Sequence, residues 1–175
     1  VVRDGHPLGS DTELGRHVAN ASVDDAEFHE FGSAGSLVRL AREAAETDDD
    51  SRLFRLGGHD LSRLDDSLVF EAARRDDAAA LAAVERYADH VARGAKPLVV
   101  SLSPEAVVIA GSVARAGELL REPVARHLGA VLADSDTPCP DVVTSSIAPA
   151  IGAYGAAVIA MRLAGVDPLV EGQIT

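Results

Sequence analysis

Two rhythms of apolar residues run along the chain. Behind Gly35, Leu37, Leu40, Ala41 and Ala44 recur at i, i+3, i+4 and i+7, the spacing that lines one face of an α-helix. Asp48-Asp49-Asp50 then ends that helix as a solvated acidic turn. A second helix is expected from Asp65-Asp66, whose carboxylates stand at the positive end of a helix dipole, with Leu68 and Ala72 on its inner face. A longer helix opens at Asp76-Asp77 and turns Leu81, Val84, Ala88 and Val91 inward. Pro97 lacks an amide donor and clashes with the preceding turn, so it is expected to kink or break the far end of that helix.

From residue 104 the rhythm shortens. Ala106-Val107-Val108-Ile109-Ala110 is a brief apolar run bounded by Pro104 and Gly111, the pattern of a strand buried on both faces. Gly111-Ser112 leads into a helix over Ala116–Ala133 with Leu119, Leu120, Val124 and Leu128 at core spacing. A second strand, Val142-Val143-Thr144, follows Pro138-Cys139-Pro140, and a closing helix runs from about Pro149 to Leu163. Strands alternating with helices predict an α/β fold with crossover connections.

The first 35 residues carry less pattern. Val1 to Leu8 reads as a hairpin turning over Asp4-Gly5, a pair suited to positive φ. Gly9 to Gly35 shows no clean period and is expected to be a long irregular loop, with one short strand at Leu14–Val18.

Composition narrows the function classes. The 175 residues are 47% hydrophobic and 25% charged, a globular balance. The 28 acidic against 16 basic side chains give a net charge of −12, which argues against this segment lying on nucleic acid or an anionic membrane. No apolar run approaches the ~18 residues of a membrane span and no signal segment opens the chain, so a cytoplasmic location is expected. The lone Cys139, set between two prolines, excludes an internal disulfide and a multi-cysteine zinc site. The chain opens Val1-Val2-Arg3 and its one methionine is Met161, so it is expected to be part of a longer product.

A strand ending in Gly111-Ser112 ahead of a helix is a generic nucleotide-binding feature, because glycine admits phosphate or ribose to the backbone and a helix start offers unpaired N–H groups. An ordinary αβ corner needing a small residue accounts for it equally well. The surrounding motifs say more. Asp77-Ala78-Ala79-Ala80-Leu81, then Leu102-Ser103-Pro104-Glu105-Ala106-Val107-Val108-Ile109-Ala110-Gly111-Ser112-Val113, then Gly117-Glu118-Leu119-Leu120-Arg121-Glu122-Pro123-Val124 resemble the C-terminal half of the ROK family of repressors, open reading frames and kinases. Ser145-Ser146-Ile147-Ala148 followed by Gly155-Ala156-Ala157 is similar to that family's closing helix, and the correspondence spans most of residues 67–165.

The resemblance implies an actin-like ATPase, ribonuclease H-like α/β lobe, with a mixed sheet flanked by helices. All 175 residues would form this one C-terminal lobe: a hairpin and sugar loop over 1–40, a helical segment over 41–100 and a nucleotide-side αβ segment over 101–175. The phosphate-binding strands and the catalytic aspartate would lie upstream of Val1, leaving no catalytic residue here and no kinase activity in this segment alone. The family's G-E-x-G-H matches Thr12-Glu13-Leu14-Gly15-Arg16-His17, which makes Glu13, Arg16 and His17 candidate sugar ligands, Glu13 by accepting from two sugar hydroxyls. A solvated loop glutamate fits Glu13 equally well. Gly111 and Ser112 are the candidate nucleotide contacts, standing in a G-G-G-V motif thinned to Ala110-Gly111-Ser112-Val113; the added side chains weaken binding without excluding it.

The same comparison implies losses. Where the family has a zinc-binding C-x-C-G-x-x-G-C-L-E, this chain has His29-Glu30-Phe31-Gly32-Ser33-Ala34-Gly35-Ser36-Leu37-Val38. His29, Phe31 and Ser36 stand at the three cysteine positions, so zinc is expected to be absent, and Val38 replaces a sugar-contacting glutamate. A substitute site from His17, His29 and Glu27 or Glu30 is disfavoured; packing of Phe28 or Phe31 is expected to shape the loop instead. His59, His90 and His127 are expected at the surface, the paired aspartates in solvated turns or helix starts, and Gly152 and Gly155 at a close helix contact.

These losses favour the effector domain of a ROK transcriptional regulator, sensing a sugar or sugar phosphate, homo-oligomeric, and touching DNA only through an N-terminal module outside this chain. The alternative is an ATP-dependent sugar kinase with a zinc-free loop, ATP and Mg2+ binding in the full-length protein. A scaffold that only dimerises is the third reading.

Overall fold

The computed structural model describes residues 2–3, 6–7, 22–23, 26–27, 32–48, 50–147 and 150–166. The Asp4-Gly5 hairpin forms as expected: β1 (Val2–Arg3) and β2 (His6–Pro7) pair antiparallel, Val2 opposite Pro7 and Arg3 opposite His6. The stretch expected to be irregular holds a second two-residue pair, β3 (Ser22–Val23) and β4 (Ala26–Glu27), also antiparallel. Strands this short carry no readable alternation. The strand expected at Leu14–Val18 lies outside the described residues.

Helix α1 (Ala34–Ala45) begins where Ser33 Oγ accepts from the Ser36 N–H, and buries Leu37, Leu40 and Ala41 completely. After α2 (Arg52–Leu56) and a 3-10 turn (Leu61–Arg63), α3 (Asp66–Ala73) is capped by Asp65, whose carboxylate accepts from the Leu68 N–H at 2.8 Å. Arg42, in the last turn of α1, donates to the carbonyls of Leu61, Ser62 and Leu64, closing the far end of the 3-10 turn against α1.

Helix α4 (Ala78–Leu102) packs against α1, α3 and α5 and forms the middle of the core through Ala80, Val84, Ala88 and Val99. Pro97 does not break it. Pro97 and Arg93, whose carbonyl loses its helical partner to the proline, both sit on the exposed side, where water can take the freed oxygen.

One carboxylate joins α2 to α4. Asp77, only 6% exposed, caps α4 by accepting from Ala80 N–H at 2.8 Å, and reaches back to accept from Arg52 N–H at 2.6 Å and from Ser51 Oγ at 3.0 Å. Ser51 in turn accepts from the Leu53 N–H. Asp77 is the aspartate of the D-A-A-A-L run that opens the family resemblance, and its partners show it fastening two helix starts together.

Strand β5 (Ala106–Ile109) pairs in parallel with β6 (Asp141–Thr144), Ile109 opposite Thr144, with α5 (Glu118–Leu132) as the crossover. This is the expected α/β unit. β5 is not buried on both faces, however: Ile109 and Val142 are buried whereas Val108 is 56% and Val143 41% exposed. α5 packs against β6, while no described element covers the other face of the pair. Helix α6 (Ile151–Leu163) buries none of its residues among those described, and a Cβ at Gly152 or Gly155 would meet nothing within 4 Å. The close helix contact expected at those glycines is therefore not made in this chain.

At the α4–α5 seam, Glu85 accepts from Arg126 at 2.6 Å and lies 3.1 Å from His127 Nε2, while His127 Nδ1 stands 3.6 Å from Asp89. His127 is thus drawn into the seam instead of lying free on the surface, its side chain 23% exposed. His90 is partly buried too, and desolvation holds its pKa below the ordinary value. The Arg126 hydrogen bond, with His127 assisting, lowers the Glu85 pKa from 4.5. A carboxylate depressed on folding contributes stability above its unfolded pKa and loses it as pH falls through the folded value. Glu85 is about half exposed, so solvent screening keeps that contribution small. Glu85→Gln is expected to shrink the loss of stability seen in urea titrations below pH 4.5, without altering the chain's behaviour at pH 7.

Candidate functional site

The turn after β5 has two glycine hinges. Gly111 holds φ 79° and ψ −160°, and Gly117 holds φ 59° and ψ −131°. Both conformations lie in backbone regions that side-chain-bearing residues rarely enter. Between them Ser112–Ala116 forms a 3-10 turn, and Glu118 starts α5 directly after Gly117. The helix expected from Ala116 is thus delayed by this turn. Neither the turn nor α5 has a side-chain cap at its start, and a Cβ built at Gly111 would meet nothing within 4 Å. Two arginines fix the turn: Arg115 Nε donates to the Ser112 carbonyl, and Arg74 donates to the Arg115 carbonyl at 3.0 Å.

Facing the turn is α3. Asp66, Ser67, Phe70 and Arg74 line, with Ser112 and Arg115, a partly open cleft of about 120 Å³. Phe70 is 3% exposed and forms an apolar floor; the arginines and the hydroxyls of Ser67 and Ser112 form the walls. Ser112 therefore stands in a cleft, and Gly111 at its edge leaves open space above its backbone. Arg74, Arg115 and the α3 residues were not legible as site residues. Asp66, Phe70 and Arg74 recur at i, i+4 and i+8, which marks a common helix face, but nothing local ties that face to a turn some forty residues on.

On the sugar side, Glu13, Arg16 and His17 lie outside the described residues, as do His29 and Phe31 and the side chains of Glu27 and Glu30. What is described is the loop's exit. The Tyr87 hydroxyl on α4 donates to the Gly32 carbonyl at 2.9 Å, anchoring the glycine-rich segment to the core. Burial, assisted by the Asp66 carboxylate, pushes the Tyr87 phenol up to about 12, so it remains a neutral donor. Ser36 is 2% exposed with its Oγ unpartnered, and Val38 is 8% exposed in the core. Among the described residues, no three His, Cys, Asp or Glu side chains converge on a point that would hold a metal ion. Phe31 and Ser36 do not fit the family's thiolate zinc site, and no step here is derived through zinc. Cys139 is exposed in the loop before β6.

The ROK family profile matches residues 35–162, and the chain belongs to the ROK family. A glucokinase of Thermotoga maritima is 31% identical over 134 residues, covering 76% of this chain and 42% of its own length. A glucokinase of Halalkalibacterium halodurans is 33% identical over 99 residues, covering 56% of this chain and 29% of its own. The crystal structure of a ROK family glucokinase from Streptomyces griseus, in complex with glucose and AMPPNP, superposes with a TM-score of 0.71 at 24% identity, over 76% of this chain and 44% of that one. The fold is that of the actin-like ATPases. The chain spans less than half the length of these relatives. Among the described residues no helix is long and apolar enough to cross a membrane.

Proposed function

We propose that this chain is the C-terminal, sugar- and nucleotide-holding lobe of a cytoplasmic ROK sugar kinase of the glucokinase type. The observation that carries the reading is the open backbone at Gly111 beside a charged cleft, in a chain whose similar curated relatives are glucokinases. Bound ATP would supply the phosphoryl group. The residues of this chain would hold and orient: the Gly111–Gly117 turn by its free amides and close approach, Ser112 by its hydroxyl, and Glu13 with Arg16 and His17 by hydrogen bonds to sugar hydroxyls. The catalytic base and the metal-binding phosphate site belong to the other lobe in this reading.

The regulator reading has one specific observation in its favour. Val38 is packed into the core where a sugar-contacting carboxylate is expected, and Ser36 is buried at the last cysteine position. A sugar-sensing, homo-oligomeric effector domain, joined to DNA through another module, accommodates both.

A coupled ADP-release assay on the protein that carries this chain separates the two. With ATP, Mg2+ and a panel of hexoses, turnover of glucose or a close relative is expected. Hexose binding by calorimetry with no turnover for any member of the panel would return the assignment to the regulator.

A further inference from the structure

The cleft beneath the Gly111 turn contains a group that the turn itself does not use. Asp66 Oδ2 is shielded from solvent and accepts no hydrogen bond, although Asp66 lines the cleft and is half-buried there. Asp65, not Asp66, caps α3, so the Asp66 carboxylate is not needed to start the helix. An ionised carboxylate oxygen without a donor is costly, and a ligand that brings a hydroxyl would relieve the cost. Around it stand an apolar floor (Phe70), two guanidinium groups (Arg74 and Arg115) and two hydroxyls (Ser67 and Ser112).

That set does not suit a bare phosphate, which the carboxylate would repel. It suits a nucleoside. Guanidinium planes and a phenyl ring accommodate the flat face of a base, and a carboxylate accepts from vicinal ribose hydroxyls. Arg74 and Arg115 are each held in place by a carbonyl, Arg115 and Ser112 respectively, which leaves their remaining N–H groups and their planes to the cleft.

We propose that this cleft takes the nucleoside end of the nucleotide, with Asp66 reading the ribose hydroxyls and the phosphates leaving past Gly111. This rests on the nucleotide-binding reading above and adds to it the orientation of the nucleotide and a residue that selects ribose.

The test compares ATP with 2′,3′-dideoxy-ATP, by calorimetric titration of the protein that carries this chain in the presence of sugar. The unsubstituted protein is expected to prefer ATP by about 10-fold or more, the range for a hydrogen bond to a charged acceptor. Asp66→Ala is expected to abolish that preference by weakening ATP, with dideoxy-ATP binding as before. Asp66→Asn, which keeps the shape and one acceptor, is expected to retain part of the preference and serves if the alanine variant does not fold. A preference that persists unchanged in both variants overturns the Asp66 assignment while leaving nucleotide binding intact. If neither nucleotide binds the unsubstituted protein, the kinase reading and this inference fail together.

Discussion

Asp77→Ala is expected to lower the unfolding free energy by about 3 kcal/mol, well above the ~1 kcal/mol typical of a lost N-cap. The difference arises because one carboxylate serves two helices. Its removal leaves the Ala80 N–H at the start of α4 and the Arg52 N–H at the start of α2 without their acceptor, and strands the Ser51 hydroxyl in a site that is 3% exposed. Water reaches none of these easily. Ser51→Ala removes only one arm and is expected to cost about 1 kcal/mol. The double variant should fall short of the sum, because the Ser51 bond is already gone once Asp77 is removed. Urea denaturation followed by helical signal reads all three, with the midpoint moving and the slope unchanged. A loss below ~1 kcal/mol for Asp77→Ala would show that the two helix starts are held by packing alone.

Gly111→Ala carries the second large effect, and on two quantities that can be separated. A Cβ at φ 79°, ψ −160° strains the backbone by about 1–3 kcal/mol even though no atom of the chain stands in its way. Gly117→Ala imposes comparable strain at φ 59° with the same open surroundings. The two variants should therefore lose similar stability. They should differ in affinity for a non-hydrolysable ATP analogue, which falls about 10-fold or more for Gly111→Ala and much less for Gly117→Ala, because only Gly111 borders the open backbone that a ligand is proposed to approach. Equal losses of affinity would mean that the turn's shape matters and the open space above Gly111 does not.

Much of the fold could be read from local pattern because its determinants are local. The caps Asp65 and Asp77, the i, i+3, i+4 spacing of Leu37, Leu40 and Ala41, and the valine runs at Ala106–Ile109 and Val142–Thr144 each state their element within a few residues. α2 was silent because five residues are too few to show a period. Pro97 misled because a proline's cost depends on which face of the helix receives the freed carbonyl, and sequence does not state the face. Val108 misled for a related reason: an apolar run in a strand shows what the sheet can bury, while its neighbours decide what is covered. At the site, the glycines were legible from their chemistry. The cleft was not, since it depends on Arg74 and Arg115 meeting across 41 residues of chain.

The parallel pairing of β5 with β6 also sets an order of assembly. The pairing that anchors the strand before Gly111 joins Ile109 to Thr144, across the whole of α5, whereas α1, α3 and α4 meet through shorter separations in the chain. Closing the longer loop costs more chain entropy before any contact repays it. On a ribosome the helical unit around α4 can consolidate while the candidate nucleotide turn still waits for its second strand to be synthesised. The part of the chain proposed to meet ligand is therefore among the last to become ordered, and a nascent chain stalled before Asp141 would present a formed helical core beside an unformed site.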